Sequence, residues 1–235
     1  MADLNEASAH YLGTRGQAYF QSGFGVEKHE GRLFQLEYFL PFCGDDLVVL
    51  DFGSADGLFL RNLSARRRIG IEVNPAALDY CQRVCRQGQC SIELHSTLEE
   101  VESEVVDVII SNHCLEHVPN PFKTVLQFFR VIKPGGRVVL ILPFDDWRAP
   151  KYRKWRPGDY DNHLYTWTPM NIGNLLTDVG FKVDRAELIT SAWSPKFMRF
   201  KRHLHATIFK TICGAFAVVR NARQVFCLAH RPDCK

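Results

Sequence analysis

Asp51 and Glu72 each close a short apolar run, LVVLDF and IGIEV, and between them lies the turn FGSADGLFL. Gly53 and Gly57 can adopt positive φ and let main chain approach a ligand, while the helix that follows offers unpaired N–H groups. Glu72 stands nineteen positions past Gly53. In a doubly wound sheet, an acid there accepts both hydroxyls of a ribose. A dinucleotide fingerprint would place glycines at positions 55 and 58, which are Ala55 and Leu58, so G-x-G-x-x-G fails. The pattern acid-x-G-x-G-x-G fits as Asp51, Gly53, Ala55 and Gly57, with alanine replacing the middle glycine.

Two further groups could move protons. In SNHCLEHV, His113 and His117 are four apart and stack on one turn if the segment coils. A metal pair, a catalytic pair and a plain pocket wall all fit that spacing, and Glu116 between them reads as a local structural contact. The stretch from Phe144 to Trp167 mixes aromatic rings with charges and contains Asp145, Asp146 and His163 as candidate bases. Such rings present apolar area and a π-face to a cation or a sugar. Cys81, Cys85 and Cys90 include no C-x-x-C and have no distal pair at zinc-site spacing, so no metal is expected from them.

These residues need a frame that brings strand ends together. Apolar runs bounded by turn signals occur at Leu47 to Phe52, Arg68 to Val73, Ser91 to His95, Val106 to Ser111 and Arg137 to Pro143. Helical patterns lie between them: Leu58 to Ser64, Pro75 to Gln87 behind Asn74, and Pro121 to Ile132 closed by KPGG. Strand and helix in alternation predict a parallel sheet with helices on both faces. Beyond position 169 come a helix capped by Gly180, a strand from Phe181 to about Ile189, a helical segment near Pro195 to Val218 and a last strand, Gln224 to His230. Residues 1–45 read as a helical N-terminal extension or lid, best supported at Lys28 to Leu40. Residues 46–235 read as the main domain, with 144–169 inserted on the substrate side and 195–218 as an extra helical segment.

With 235 residues, 46% of them hydrophobic, the chain can bury a core without staples, and its eight scattered cysteines read as reduced thiols. Asp3 and Glu6 leave no apolar leader legible, no apolar run reaches the roughly 18 residues of a membrane span, and a cytoplasmic protein is expected. Residues 1–146 hold 13 Lys/Arg against 20 Asp/Glu, while 147–235 hold 16 against 6. The basic second part could attract an anionic substrate or a lipid surface, the latter through a peripheral contact at 195–218. Without a recognition module, nucleic acid is not favoured.

From about residue 46 to 190 the chain resembles the class I S-adenosylmethionine-dependent methyltransferases. The matching strings are VVLDFGSADGLFL, GIEVNPAALDYC, VDVIISNHCLEHVPNP, RVIKPGGRVVLILP and NLLTDVGFKV, in that order. The resemblance implies a Rossmann-like, doubly wound, seven-stranded α/β sheet, mostly parallel with an antiparallel last strand. It implies S-adenosylmethionine as cofactor, its methionine end near Asp51, Gly53, Ala55 and Gly57, its ribose on Glu72, and Asn112 and His113 flanking the sulfonium. Ser96 stands where the family often has an acid for adenine. The expected activity is methyl transfer to oxygen, nitrogen or carbon of a small-molecule acceptor such as a saccharide or lipid-linked metabolite, with His117, His163 or Asp145 as base. A cofactor-binding regulatory protein without turnover and a nicotinamide oxidoreductase are the alternatives, the second opposed by the turn spacing.

Overall fold

A computed structural model describes residues 8–23, 31–88, 90–144, 162–190 and 204–233. Its centre is a seven-stranded sheet: β1 (Gly44–Phe52), β2 (Ala65–Ile71), β3 (Glu93–His95), β4 (Val106–Asn112), β5 (Ile132–Pro143), β6 (Lys182–Thr190) and β7 (Arg223–His230), in the order β3-β2-β1-β4-β5-β7-β6. All pairings are parallel except those of β7, which runs against β5 and β6. The expected fold class is the one observed. Because β2 and β4 pair on opposite sides of β1, the strand order reverses beside Asp51, where open α/β sheets bind ligands.

Alternate residues of the central strands face opposite layers. Leu50, Ile109 and Leu140 pack toward α4 (Pro121–Val131) and α5 (Pro169–Val179), against Val125, Phe128, Ile172 and Leu176. On the other face, Val49, Ile110 and Ile141 meet Phe59 and Leu60 of α2 (Leu58–Asn62), with Phe39 from the N-terminal extension. All six of these central strand residues are buried. Burying each contributes about 1.5–3 kcal/mol relative to exposure, which explains why their short runs are legible as strands.

Helix starts follow their capping residues. In α3 (Pro75–Gly88), Asn74 Oδ1 accepts from Ala76 N at 3.0 Å and proline takes the first helical position. Asn120 caps α4, and Thr168 with Asn171 forms a reciprocal box at α5, which ends at Gly180 with φ +112°. The extension is helical where it is described, with Leu33–Tyr38 and Leu40–Phe42 wound as 3₁₀ helices. Pro41 lacks a donor and disfavours helical geometry in the residue before it. Further upstream, α1 (Gly13–Gly23) lies against α3, where Asn74 Nδ2 donates to Gly16 O at 2.7 Å.

The last helix, α6 (Ala206–Val219), joins β6 to β7 at the edge of the sheet where β1, β2, β4 and β5 end. Residues 195–203 of that expected segment lie outside the described residues. Among the described residues, no helix is long and apolar enough to cross a membrane.

Candidate functional site

The turn after β1 alternates left-handed residues: Gly53 at φ +82°, Ala55 at +48° and Gly57 at +70°. It is tied to β2 by the amides of Gly53 and Ser54, which donate to Ile71 O at 2.9 and 3.0 Å. A Cβ on Gly53 would lie 2.4 Å from Cys114 Sγ, and one on Gly57 would lie 2.5 Å from Cys81 Sγ. The glycines therefore make room for two of the protein's own thiols, a role that sequence spacing did not reveal. Ala55 carries its methyl group in the left-handed region, and its N–H donates to Glu72 Oε2 at 2.9 Å.

Glu72 also takes the amide of Asn74 on Oε1 at 2.8 Å, so its carboxylate bridges the ends of β1 and β2. Burial raises its pKa, and the amides of Asn74, Ala55 and Val73 together with Arg32 oppose the rise. Asp51 is 1% exposed, and among the described residues its Oδ2 has no hydrogen-bond partner. Burial pushes the Asp51 carboxyl up to about 8; Arg32 pulls against that, while Glu72 and Asp56 add to it. Asp56, fully buried, lies 3.0 Å from Arg32 Nη2 and 3.9 Å from an Arg61 Nη2. One guanidinium from the extension thus serves three clustered carboxylates. Sequence reasoning missed Arg32, because a lone arginine 21 positions before Gly53 carries no local signal.

The end of β4 forms the facing wall. Asn112 Oδ1 is buried without a hydrogen-bond partner among the described residues. His113 is left-handed at φ +51°; its N–H donates to Ile141 O at 2.8 Å, and its Nε2 accepts from the Gln224 amide at 2.7 Å. Residues Leu115–His117 do coil, as a 3₁₀ turn, and this sets His113 Nδ1 and His117 Nε2 each 3.6 Å from Oε1 of the fully buried Glu116. The Tyr11 hydroxyl and the Asn162 main-chain oxygen stand 2.7 and 3.4 Å from His117 Nδ1.

The amides of Leu164 and Tyr165 donate to the Glu116 carbonyl at 2.9 and 3.3 Å, which brings the His163 ring edge-on to His117 with centroids 5.0 Å apart. Burial, followed by His163, His113 and His10, pushes His117 down to about 3, so it is neutral at physiological pH. A ring so reluctant to take a proton is a weak general base. Ligand atoms of Glu116, His117 and His163 all lie within 4.8 Å of one another, and this trio is a group that could hold a metal ion.

Other expected residues are more dispersed. Ser96 Oγ donates to Glu100 Oε1 at 2.8 Å at the end of β3. Asp145, Trp147, Tyr152, Trp155 and Tyr160 lie outside the described residues. Trp167 is buried in the core, whereas Tyr165 donates from its hydroxyl to Pro119 O at 2.8 Å. Burial pushes the Cys81 thiol up to about 12 and the Cys114 thiol well above its ordinary value, so neither is a ready nucleophile.

The arrangement can hold a ligand that carries a cationic donor for Asp51, an anionic group for Arg32 and hydroxyls for the lone pairs left on Glu72. Comparisons with known proteins agree with that reading. Residues 32–186 match the family described as methyltransferase domain. A ubiquinone biosynthesis O-methyltransferase from Pseudomonas fluorescens (strain SBW25) is 32% identical over 96 residues, which cover 38% of this chain and 41% of the relative. An uncharacterized methyltransferase of Mycobacterium leprae (strain Br4923) is 28% identical over 106 residues, covering 44% and 39%. The match thus spans about two-fifths of these curated relatives' length.

Among solved structures, a methyltransferase from Haloferax volcanii, described as putative and complexed with the Trm112 activator, superposes with TM-score 0.67 at 16% identity, covering 92% of this chain and 95% of that one. Phosphoethanolamine N-methyltransferase 2 of Haemonchus contortus, in complex with S-adenosyl-L-methionine, gives 0.62 at 15%, covering 96% and 59%. At such identities the structures speak for the fold.

Proposed function

The chain belongs to the methyltransferase-domain family, in the class I S-adenosylmethionine-dependent fold, and from that premise we propose that it methylates a small-molecule acceptor. When bound, S-adenosylmethionine supplies an electrophilic methyl group on a sulfonium. The observation that carries the assignment is Asp51 Oδ2, a buried oxygen without a hydrogen-bond partner among the described residues, at the strand-order reversal. In this reading Asp51 receives the methionine ammonium, Arg32 faces its carboxylate, and the turn of Gly53, Ala55 and Gly57 cups the chain between them. Glu72 accepts from the ribose hydroxyls, Ser96 borders the adenine end, and Asn112 and His113 flank the sulfonium.

The acceptor enters from the wall formed by His113, Glu116, His117 and His163. Alignment of two bound reactants alone can contribute about 7–11 kcal/mol to such a displacement. An oxygen acceptor fits the imidazole-rich wall, which offers partners to a hydroxyl group. The relative named for O-methylation in ubiquinone biosynthesis supports that class, as an analogy over part of its length.

Calorimetry with S-adenosylhomocysteine tests the cofactor half. Binding should be stoichiometric, and Glu72→Ala should weaken it by about 1–3 kcal/mol through unpaired ribose hydroxyls. Unchanged affinity would remove Glu72 from the site. Incubation with methyl-labelled cofactor and a panel of phenols, catechols, alcohols and amines tests the acceptor half, with label expected in hydroxylated compounds. Transfer to amines alone would overturn the oxygen assignment.

A further inference from the structure

We infer that Glu116, His117 and His163 form a binding site for one divalent transition-metal ion, of the zinc or cobalt type, on the acceptor side of the pocket. The three ligand atoms lie within 4.8 Å of one another, and His117 Nε2 stands 3.6 Å from Glu116 Oε1. Donor atoms about 2.0–2.2 Å from a tetrahedral metal stand about 3.3–3.6 Å from each other, so the trio has to close by little more than about 1 Å. Two imidazoles and one carboxylate are a borderline donor set that favours zinc, cobalt or nickel over magnesium or calcium.

The surroundings orient these ligands. The Asn162 carbonyl can only accept, so a bond to it requires the hydrogen of His117 on Nδ1, where the Tyr11 oxygen also stands at 2.7 Å. The lone pair of Nε2 then points toward Glu116. Such an outer partner on the second ring nitrogen fixes tautomer and ring angle in metal sites. Leu164 and Tyr165 donate to the Glu116 carbonyl, which clamps His163 beside its co-ligands. His113 Nδ1 stands 3.6 Å from the same Glu116 oxygen as His117, its own Nε2 engaged by Gln224. Segments near residues 11, 116 and 163 thus converge on one point.

Among the described residues the trio supplies three ligands, and a tetrahedral metal takes a fourth, the position at which metal sites act on a bound group. The role of that position rests on the methyl-transfer reading: an acceptor hydroxyl bound there loses its proton to solvent more readily. Its oxygen then forms the bond to the methyl carbon as the carbon–sulfur bond breaks and its electron pair returns to sulfur.

The full chain, stripped with chelator and titrated with cobalt(II), should bind one equivalent and develop the visible absorption of a tetrahedral site. Zinc should displace it. His163→Ala and Glu116→Gln should each weaken cobalt binding by at least about tenfold, and Tyr11→Phe by about 10-fold through the lost orienting contact. S-adenosylhomocysteine affinity is measured on the same samples. If the variants keep that affinity and lose cobalt, the site stands; cobalt affinity unchanged in His163→Ala, or no stoichiometric binding by the wild type, overturns it. Cobalt binding without cofactor binding would instead sink the methyl-transfer reading and leave the metal site in place.

Discussion

At the scale of single residues, the acid at the end of β1 should couple cofactor binding to pH. With its carboxyl held at about 8 by burial, Asp51 is mostly protonated in the free protein at neutral pH. A bound ammonium favours the carboxylate, so binding at pH 7 should release up to about one proton, and calorimetric enthalpies should differ between buffers of different ionisation heat. Through Asp51, affinity should improve by about fivefold from pH 7 to 8 and level off about tenfold above its pH 7 value at higher pH, where the cost of removing that proton has vanished. Enthalpies independent of buffer would show that Asp51 is already ionised or does not meet the ligand. The neighbouring glycines make a second claim. Gly57→Ala should destabilise the fold by about 2–4 kcal/mol, combining left-handed strain with overpacking against Cys81 Sγ at 2.5 Å. Cys81→Ala in the same chain removes that atom and leaves its Cβ at 3.9 Å, so urea melts of the double variant should recover most of the packing share, with Ile92 Cδ1 still at 3.0 Å, and none of the backbone strain.

At the scale of elements, the strands were legible one by one and the extension only as helical, for a physical reason. β1, β4 and β5 are buried on both faces, so each writes an unbroken apolar run into the sequence. The extension packs by scattered single residues, Phe39 on Phe59 with centroids 5.4 Å apart and Arg32 on Asp56, and has no period to read. The same divide separates the site residues. Asp51, Gly53, Gly57 and Glu72 are local to one βαβ unit and visible as spacing. The contacts of Arg32 with Asp56, of Tyr11 with His117 and of His163 with Glu116 bridge 24, 106 and 47 positions along the chain, where no motif reaches. The extension is therefore expected to act as part of the cofactor site. Arg32→Ala should weaken S-adenosylhomocysteine by about 1–3 kcal/mol, the range for a charged group left without its hydrogen-bonded partner. 5′-Methylthioadenosine lacks the amino-acid end, and its affinity should be unaffected. Equal losses for both would mean that Arg32 only supports the turn.

At the scale of the whole molecule, the cofactor is expected to be a structural component as well as a reactant. The floor beneath the strand-order reversal gathers Asp51, Asp56 and Glu72 near the guanidiniums of Arg32 and Arg61, and two of these carboxylates are raised by burial. Buried acids in such excess oppose folding when they ionise, and a ligand carrying an ammonium relieves part of that opposition only in the folded state. A ligand at one hundred times its dissociation constant stabilises the native state by about 2.7 kcal/mol. For a domain of this size each kilocalorie raises the melting temperature by about 2–4 °C, so saturating S-adenosylhomocysteine should raise it by about 5–11 °C. Because the extension contacts both the floor through Arg32 and the far wall through Tyr11, the shift should appear as one cooperative transition. Hydrogen exchange read by mass spectrometry can check this directly, with added protection expected in residues 8–23 and 31–42 as well as in the turn after β1. Protection confined to the turn would place the extension outside the unit that the cofactor closes.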